Sequence, residues 1–324
     1  MMKNNSFTEI AEKLRDAETV LIFTHVLMDG DAIGSSGALC EALRNEGKES
    51  YILIEDKIPD NLMFLDRGFC TDDLDIISDP DVCVCLDAGD TGRFPKRAAR
   101  FATGKTSICI DHHMTSEPFC ELNRIEPGAA ATAELVYLTL KEGGFRITST
   151  IAESIFAGIT TDTGNFQYTN TTKRCHEIMT ELFDCGLDCN KVSIGLYENE
   201  KPEKMRLTAK ILDEVRFYGG GQIAMSYVSQ KMLEETGCTM EDSEGIVDQL
   251  RAVRGVQIAV IMKENEADKI KATLRSKERG DVSRIAVSHG GGGHEHAAGC
   301  TIKSGLAEAL AVIKEDALSE LGYK

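Results

Sequence analysis

The stretch TVLIFTHVLMDGDAIGSS, Thr19 to Ser36, predicts a strand that leads directly into a helix. It begins with an apolar, β-branched run and ends in a segment whose helical character continues to Asn45. Between the two lie His25, Asp29 and Asp31. Charged groups at the end of a hydrophobic strand cost desolvation energy unless water, a helix N-terminus, a basic partner or a metal ion compensates them. The rest of the chain has to distinguish these explanations.

Strand-like and helical segments alternate throughout the first half of the chain. Further strand candidates are YILIE, VCVCLDAGD and TSICIDHH, and helical patterns occupy residues 130–142, 150–161 and 172–185. This alternation predicts the α/β class, with a doubly wound, mostly parallel sheet. In such sheets the active site lies beyond the carboxyl ends of the strands.

The pattern changes at residues 188–206, which are polar and lack strand character. We interpret them as a linker between a catalytic domain (residues 1–187) and a smaller α+β domain (residues 207–324). We expect the active site in the cleft between the two domains. Predicted elements of the second domain are a hairpin at Gly219–Gly221, a strand pair over residues 256–264 and 269–276, and a closing helix near residues 305–321.

Composition is that of a soluble globular protein, with 42% hydrophobic and 27% charged residues in a chain of 324. That length favours two domains. No window approaches the roughly 20 apolar residues of a membrane span, and the polar N-terminus lacks the apolar core of a signal peptide. We therefore expect a cytoplasmic protein without a membrane partner. The 11 cysteines include no C-x-x-C pair, and we expect them to be reduced thiols.

The net charge of −17 argues against binding duplex DNA through a basic surface. It leaves open a small anionic substrate, provided that cations are concentrated at one site.

Acidic residues and histidines form four clusters at predicted strand or helix ends. They are H-x-x-x-D-x-D (His25, Asp29, Asp31), LDAGD (Asp87, Asp90), DHH (Asp111, His112, His113) and TTDTGNF (Asp162). Singly, each could be a helix cap, a turn or a surface cluster. Together they would converge at one sheet edge, where carboxylates repel one another unless cations are bound. Carboxylates with imidazole and no thiol favour Mn²⁺ or a related ion, and six ligands suit two ions that share one aspartate. Such sites promote in-line displacement at phosphorus.

The stretch SHGGGGHEHAAGC, residues 288–300, is the second strong signal. Consecutive glycines allow close backbone approach to a ligand, and their N–H groups can cradle an anion. We predict a helix from about His294, whose dipole would favour phosphate. Arg275, Lys277 and Arg284 lie nearby in sequence. A flexible glycine hinge is the alternative.

In order, the four clusters resemble the motifs of the DHH phosphoesterase superfamily, which is named for the triplet Asp111–His113. GGGGHEHAAG resembles the signature of the DHH-associated C-terminal domain. The length and two-domain build look most like the bifunctional oligoribonuclease and pAp phosphatase branch. The resemblance implies two Mn²⁺ ions, with Mg²⁺ or Co²⁺ as substitutes. One ion would be held by His25, Asp29 and Asp87, and the other by Asp31, Asp87, His112 and Asp162.

The resemblance also implies roles for the remaining motif residues. Asp87 and His113 would be catalytic, with His113 contacting the phosphate or the leaving group. Asp90 and Asp111 would support the ligands. Substrate phosphate would be bound by Arg275, Gly291, Gly292, Gly293 and His294.

The implied substrates are short single-stranded RNA, dinucleotides and 3′-phosphoadenosine 5′-phosphate (pAp), and a homodimer is left open. The nearest alternative is a phosphodiesterase for cyclic di-AMP or pApA, since the same motifs serve both. A pyrophosphatase or exopolyphosphatase would carry a different C-terminal domain. The third alternative is a non-catalytic nucleotide-binding protein.

Overall fold

Strand β1 (Thr19–Phe23) lies inside a six-stranded parallel sheet of the order β3-β2-β1-β4-β5-β6. The computed structural model describes residues 4–323. The predicted strands of the first half are confirmed, and two short strands, β3 and β6, are additional. The other strands of this sheet are β2 (Glu49–Leu53), β3 (Cys70–Thr71), β4 (Val82–Leu86), β5 (Thr106–Asp111) and β6 (Leu122–Ile125).

Both faces of this sheet are covered, as the near-continuous apolar strands require. In β1, Val20 and Ile22 point to the larger hydrophobic core, whereas Leu21 and Phe23 point to a smaller one on the opposite face. The doubly wound prediction is therefore confirmed. The helices of this part of the chain are α1 (Phe7–Asp16), α2 (Gly30–Asn45), α3 (Ala98–Phe101), α4 (Thr132–Glu142), α5 (Ser149–Asp162), α6 (Lys173–Asp184) and α7 (Cys189–Tyr197).

Helices α2 and α5 pack closely where glycines of α2 face α5. A Cβ on Gly34 would lie 2.5 Å from the Ser154 carbonyl oxygen, and one on Gly30 would lie 2.3 Å from Thr161 Oγ1. Only glycine fits at such separations. The contact brings the start of α2 beside the end of α5, and both ends carry aspartates.

The chain divides into two units between Asn199 and Glu200. The second unit has a mixed sheet of the order β11-β12-β10-β9-β8-β7; β8 and β9 are parallel, and the other neighbouring strands that the structure describes are antiparallel. Its strands are β7 (Arg216–Tyr218), β8 (Ile223–Val228), β9 (Ile258–Glu266), β10 (Lys269–Ser276), β11 (Gly292–His294) and β12 (Ala297–Ile302). Its helices are α8 (Pro202–Asp213), α9 (Gln230–Thr236), α10 (Ile246–Ala252), α11 (Val282–Ser288) and α12 (Leu306–Glu320).

The predicted hairpin, the strand pair β9–β10 and the closing helix are all present in this unit, so the α+β prediction is confirmed. The helix predicted from about His294 is wrong, because Gly292–His294 form β11 and pair antiparallel with β12. Glycine is a poor helix former, and Gly293 has a φ of 142°, which other residues rarely adopt. No helix dipole therefore acts at His294. Within residues 4–323, no helix is both long and apolar enough to cross a membrane.

Candidate metal centre

The candidate site lies where the strand order of the first sheet reverses. Strands β1 and β4 are neighbours, and the chain proceeds outward from them in opposite directions along the sheet. Such a switch point leaves a crevice at the carboxyl ends of the two strands, where ligands bind in open α/β sheets. His25 follows β1, and Asp87 follows β4 directly.

Asp29 is the N-cap of α2, so the helix-cap explanation given for this motif from the sequence holds for Asp29. Its Oδ1 accepts hydrogen bonds from the backbone N–H groups of Asp31 (3.1 Å) and Ala32 (3.0 Å). The same oxygen lies 3.6 Å from His25 Nε2. Burial alone would raise the pKa of Asp29, but the hydrogen bonds from His25 and these amides lower it. Asp29 therefore caps α2 and also belongs to the cluster of carboxylates and histidines.

Asp31 is almost completely buried, and its carboxylate lies on the N-terminus of a different helix, α4. Its Oδ2 accepts from Thr132 N at 2.6 Å and its Oδ1 from Ala133 N at 2.9 Å. The residue at the N-cap position of α4 is Ala131, which has no side-chain oxygen for these amides. Burial, together with the negative charges of Asp87 and Asp162, nevertheless raises the pKa of Asp31 well above its usual value.

Asp87 is buried at the centre of the cluster and has a left-handed backbone, with φ of 57°. This conformation is costly for a residue with a Cβ, and such strain is concentrated at functional sites. Its Oδ2 lies 3.4 Å from His25 Nε2, and its Oδ1 lies 3.6 Å from His112 Nε2. Thr132 also donates its hydroxyl to Oδ1 at 3.0 Å. The two carboxylate oxygens therefore face different imidazoles.

Both imidazoles of the cluster are oriented by backbone carbonyls. His25 Nδ1 lies 2.7 Å from Val26 O, and His112 Nδ1 lies 3.4 Å from Ala129 O. A proton on Nδ1 satisfies these carbonyls and leaves the Nε2 lone pair directed at the carboxylates, which is the tautomer that a metal ligand needs. Without a bound cation, the carboxylates raise the pKa of His25 to about 10, although burial acts in the opposite direction.

The third histidine, His113, is paired with Asp111. Asp111 is fully buried, and its Oδ1 lies 2.8 Å from His113 Nδ1 and 2.9 Å from His112 N. Ser116 donates its hydroxyl to the other oxygen of Asp111. Asp111 therefore fixes the orientation of the triplet. The hydrogen bond to Asp111 raises the pKa of His113, although burial lowers it.

Asp162 is the last residue of α5 and completes the cluster. Its Oδ2 lies 3.5 Å from His112 Nε2. Burial and the negative charge of Asp87 raise the pKa of Asp162 to about 6, although His112 lowers it. The side chain of Asn170 donates to the carbonyls of Ala130 (2.9 Å) and Asp162 (3.1 Å), and so ties the end of α5 to the segment before α4.

Ligand atoms of seven side chains converge into three overlapping groups, within each of which all atoms lie within 4.8 Å of one another. The groups are His25 with Asp29 and Asp87; Asp31 with His112 and Asp162; and Asp87 with His112 and His113. All donors are carboxylate oxygens or imidazole nitrogens, which suit Mn²⁺ and related divalent ions. The raised pKa values of Asp31 and Asp87 show how unfavourable these buried carboxylates are without positive charge. The residues present therefore fit a divalent metal centre.

Two further carboxylate predictions have different outcomes in the structure. Asp111 contacts the backbone and side chains of the triplet, as described. Asp90 is exposed and caps a turn of its own, since its Oδ1 accepts from Gly92 N at 2.6 Å. That contact supports the local backbone rather than any residue of the cluster.

The predicted substrate residues all lie in the second unit. Arg275 is on β10, where its guanidinium contacts Leu274 O at 3.1 Å and lies 3.9 Å from Asp248. A Cβ on Gly291 would lie 2.2 Å from Gly299 O, so only glycine fits there. Gly292, Gly293 and His294 form the exposed strand β11.

Two residues that position the cluster were missed by the sequence interpretation. Thr132 contacts both Asp31 and Asp87, and Asn170 holds the end of α5. Asn170 stands only eight residues after Asp162, so proximity in sequence to the TTDTGNF motif was the available signal. Thr132 had no such signal, because its contacts span 101 and 45 residues of the chain.

Comparison with known proteins matches each of the two units to a different family model. Residues 19–159 match the DHH family, N-terminal domain, and residues 220–320 match the DHHA1 domain. The chain is 33% identical to the bifunctional oligoribonuclease and PAP phosphatase NrnA of Thermus thermophilus, over 97% of this chain and 95% of that protein. It is 30% identical to the Bacillus subtilis protein of the same name, over 92% of this chain and 93% of that one.

A solved structure, that of an exopolyphosphatase-related protein from Bacteroides fragilis, superposes with a TM-score of 0.89 at 27% identity. The alignment covers 97% of this chain and 95% of that one. Fold and site together define a two-domain α/β protein with a carboxylate–histidine centre at the switch point of its parallel sheet. The chain belongs to the DHH family, and its second domain is a DHHA1 domain.

Proposed function

We propose that this chain is a phosphoric ester hydrolase that uses two Mn²⁺ ions to cleave short oligoribonucleotides, dinucleotides or pAp. The observation that carries the proposal is the convergence of acidic and imidazole ligand atoms within 4.8 Å at the switch point. Two relatives that are 33% and 30% identical over nearly the whole chain are named oligoribonuclease and PAP phosphatase, which supports the substrate class.

The proposed ligand sets are those that the family resemblance implies, and two of the observed groups support them: His25 with Asp29 and Asp87, and Asp31 with His112 and Asp162. His25, Asp29 and Asp87 would hold one ion, and Asp31, Asp87, His112 and Asp162 would hold the other. Divalent ions bound there would polarise the scissile phosphate, activate water and neutralise the charge that develops during displacement. Oxygen and imidazole ligands favour Mn²⁺, and Mg²⁺ or Co²⁺ would substitute.

The chain itself would supply orientation and a proton donor. Nδ1 of His113 lies 2.8 Å from Asp111 Oδ1, and this hydrogen bond raises the pKa of the ring, which favours the protonated imidazolium. The His113 side chain is 43% exposed and can therefore reach a bound ester. We assign it to donating a hydrogen bond to a phosphoryl oxygen or to the leaving oxygen. Thr132 and the amides of α4 would keep Asp31 and Asp87 in place.

In the same proposal, residues 1–187 are the catalytic domain, residues 188–206 the linker and residues 207–324 the substrate-binding domain. Arg275 would contact a substrate phosphate through its guanidinium. Gly291, Gly292, Gly293 and His294 would allow the nucleotide close to the backbone. The proposed enzyme is cytoplasmic, acts on single strands rather than duplex DNA, and is compatible with a homodimer.

The test compares hydrolysis of pAp, pApA, a longer RNA and cyclic di-AMP by one Mn²⁺-loaded preparation. We expect Asp87→Ala to abolish hydrolysis and to retain the circular dichroism spectrum of the folded protein. Asp72→Ala, which removes an exposed aspartate after β3, is the control and should retain full activity. Retained metal-dependent hydrolysis in Asp87→Ala would contradict the proposal. A clear preference for cyclic di-AMP would replace the substrate assignment, and nucleotide binding without turnover would indicate a sensor.

A further inference from the structure

The second unit contains a cavity whose cationic side chains have no role in the proposed function. It has a volume of about 430 Å³, and its lining includes Lys271, Thr301, Lys303, His289, Gly290 and Gly291. Its lining contains no aspartate or glutamate among the residues that the structure describes. A cavity lined by two lysines is notable on a chain whose net charge is −17.

The alternation of the strands places the cationic side chains on one face of the sheet. In β10, Lys271 is exposed between the buried residues Ile270 and Ala272. Lys271 is directly opposite Thr301 of β12, and buried Ile302 separates Thr301 from Lys303. Because side chains alternate between faces, Lys271 and Thr301 project to the same side, and Lys303, which follows the end of β12, lines the same cavity. Two ammonium groups and a hydroxyl thus share one open surface.

These donors are available for a ligand. Within residues 4–323, no carboxylate forms an ion pair with Lys271 or Lys303, although many other lysines of the chain are paired. The glycine amides are not available, since Gly290 N donates to Val287 O and Gly291 N donates to Ala286 O. Asp316 lies 2.6 Å from His289 Nε2, so that imidazole is already paired. Recognition would therefore come from the two ammonium groups and the Thr301 hydroxyl, which together suit a phosphate group.

The cavity is in line with the proposed phosphate contact at Arg275. Arg275 and Lys271 are on the same face of β10, four residues apart, which corresponds to roughly 14 Å at about 3.4 Å per residue. A stacked nucleic-acid strand advances by about 3.4 Å per nucleotide, so the span accommodates about four nucleotides, and fewer when the strand is extended. A dinucleotide stacked at this rise spans about half of the separation, so we expect longer oligonucleotides to contact Arg275 and the cavity together more readily than a dinucleotide.

We propose that Lys271, Thr301 and Lys303 form a second phosphate site, which binds a backbone phosphate of oligoribonucleotides longer than a dinucleotide. The proposal rests on the proposed function for its substrate class. The site favours longer single strands over dinucleotides and pAp by adding electrostatic contacts away from the reacting ester. Solvated lysines on an exposed sheet face are also common without any ligand, but that role requires no dependence on substrate length.

The test is the double variant Lys271→Gln/Lys303→Gln, compared with Lys57→Gln/Lys173→Gln. The control removes two exposed lysines from the first unit and so matches the change in net charge. We expect kcat/KM for 5′-phosphorylated penta-adenylate to fall about tenfold in the test variant, with pApA and pAp unaffected. The log–log slope of penta-adenylate binding against salt concentration should weaken by about 0.7 for each phosphate that the variant no longer neutralises. The control should match the wild type on all substrates.

Equal losses on all substrate lengths, or no loss on any, would overturn the proposal. Inorganic phosphate is titrated calorimetrically as a second arm. Phosphate binding that depends on Lys271 and Lys303, without any change in length preference, would assign the cavity to a free anion instead. Penta-adenylate binding is also measured by fluorescence anisotropy in EDTA, which needs no hydrolysis. Length-dependent binding there would support the second site even if the proposed catalysis failed.

Discussion

Gly158 on α5 offers the sharpest test of how packing positions the metal centre. A Cβ at this position would lie 2.5 Å from Ala133 Cβ and 2.8 Å from Asp31 Oδ1. Ordinary contacts between such atoms are about 3.5–4.0 Å, so Gly158→Ala requires a movement of roughly 1 Å. The group with least room to retreat is the Asp31 carboxylate, because amides of α4 hold both of its oxygens.

Two opposing effects set the change in stability. Replacing glycine by alanine inside a helix ordinarily stabilises by about 0.5–1 kcal/mol. Overpacking a tight core costs about 1–3 kcal/mol. We therefore expect Gly158→Ala to lower the free energy of unfolding by about 1–2 kcal/mol. Misplacing Asp31 should also weaken Mn²⁺ binding by about 10-fold to 100-fold, as removal of the groups that orient a metal ligand commonly does.

Gly37→Ala is the matched control, because Gly37 lies on α2 and its nearest neighbours would be 3.7 Å or more from an added Cβ. It should be neutral or slightly stabilising and should keep Mn²⁺ affinity. Stability is measured by urea unfolding of the metal-free protein, and affinity by calorimetric titration with Mn²⁺. Wild-type stability and affinity in Gly158→Ala would refute the idea that this close helix contact fixes the carboxylate.

Two smaller predictions address individual contacts. Asn170→Ala removes the side-chain amide that joins Ala130 to Asp162. We expect Mn²⁺ to bind about 10-fold more weakly by calorimetry, with little change in the circular dichroism spectrum. Unchanged Mn²⁺ affinity would assign Asn170 to local folding alone. The hydrogen bond from Lys105 lowers the pKa of Asp81 to about 2. The ionised Asp81 carboxylate therefore stabilises the folded state fully above pH 3.8, and this contribution is lost as the pH falls through about 2. Asp81→Asn should therefore lower the free energy of unfolding at pH 7. In urea unfolding, the difference in this free energy between wild type and variant should narrow between pH 4 and pH 2. A difference in unfolding free energy that does not change with pH would contradict this prediction.

The sequence was sufficient to predict the parallel sheet because its inner strands are apolar on both faces. It also predicted which clusters would meet, since the carboxyl ends of parallel strands share one edge. The shortest strands were missed because Cys70–Thr71 and Leu122–Ile125 are too short to show an alternating pattern. Each forms only through pairing with a longer neighbour.

Contacts that depend on tertiary packing were beyond the sequence. Asp31 caps α4, a helix that begins 101 residues later, and no local rule connects the two. The same limit produced the wrong helix at His294, where pairing of Gly292–His294 with β12 decided the local conformation. The left-handed conformation of Asp87 was equally unpredictable, because an aspartate after a strand is ordinarily extended or in a turn.

The most direct test of a two-ion centre is anomalous scattering from crystals of the protein soaked in MnCl₂. Two peaks per chain are expected, one between His25, Asp29 and Asp87, and the other between Asp31, His112 and Asp162. Asp87 should contact both ions. A single peak, or peaks away from these side chains, would contradict the assignment of the cluster as a dinuclear metal centre.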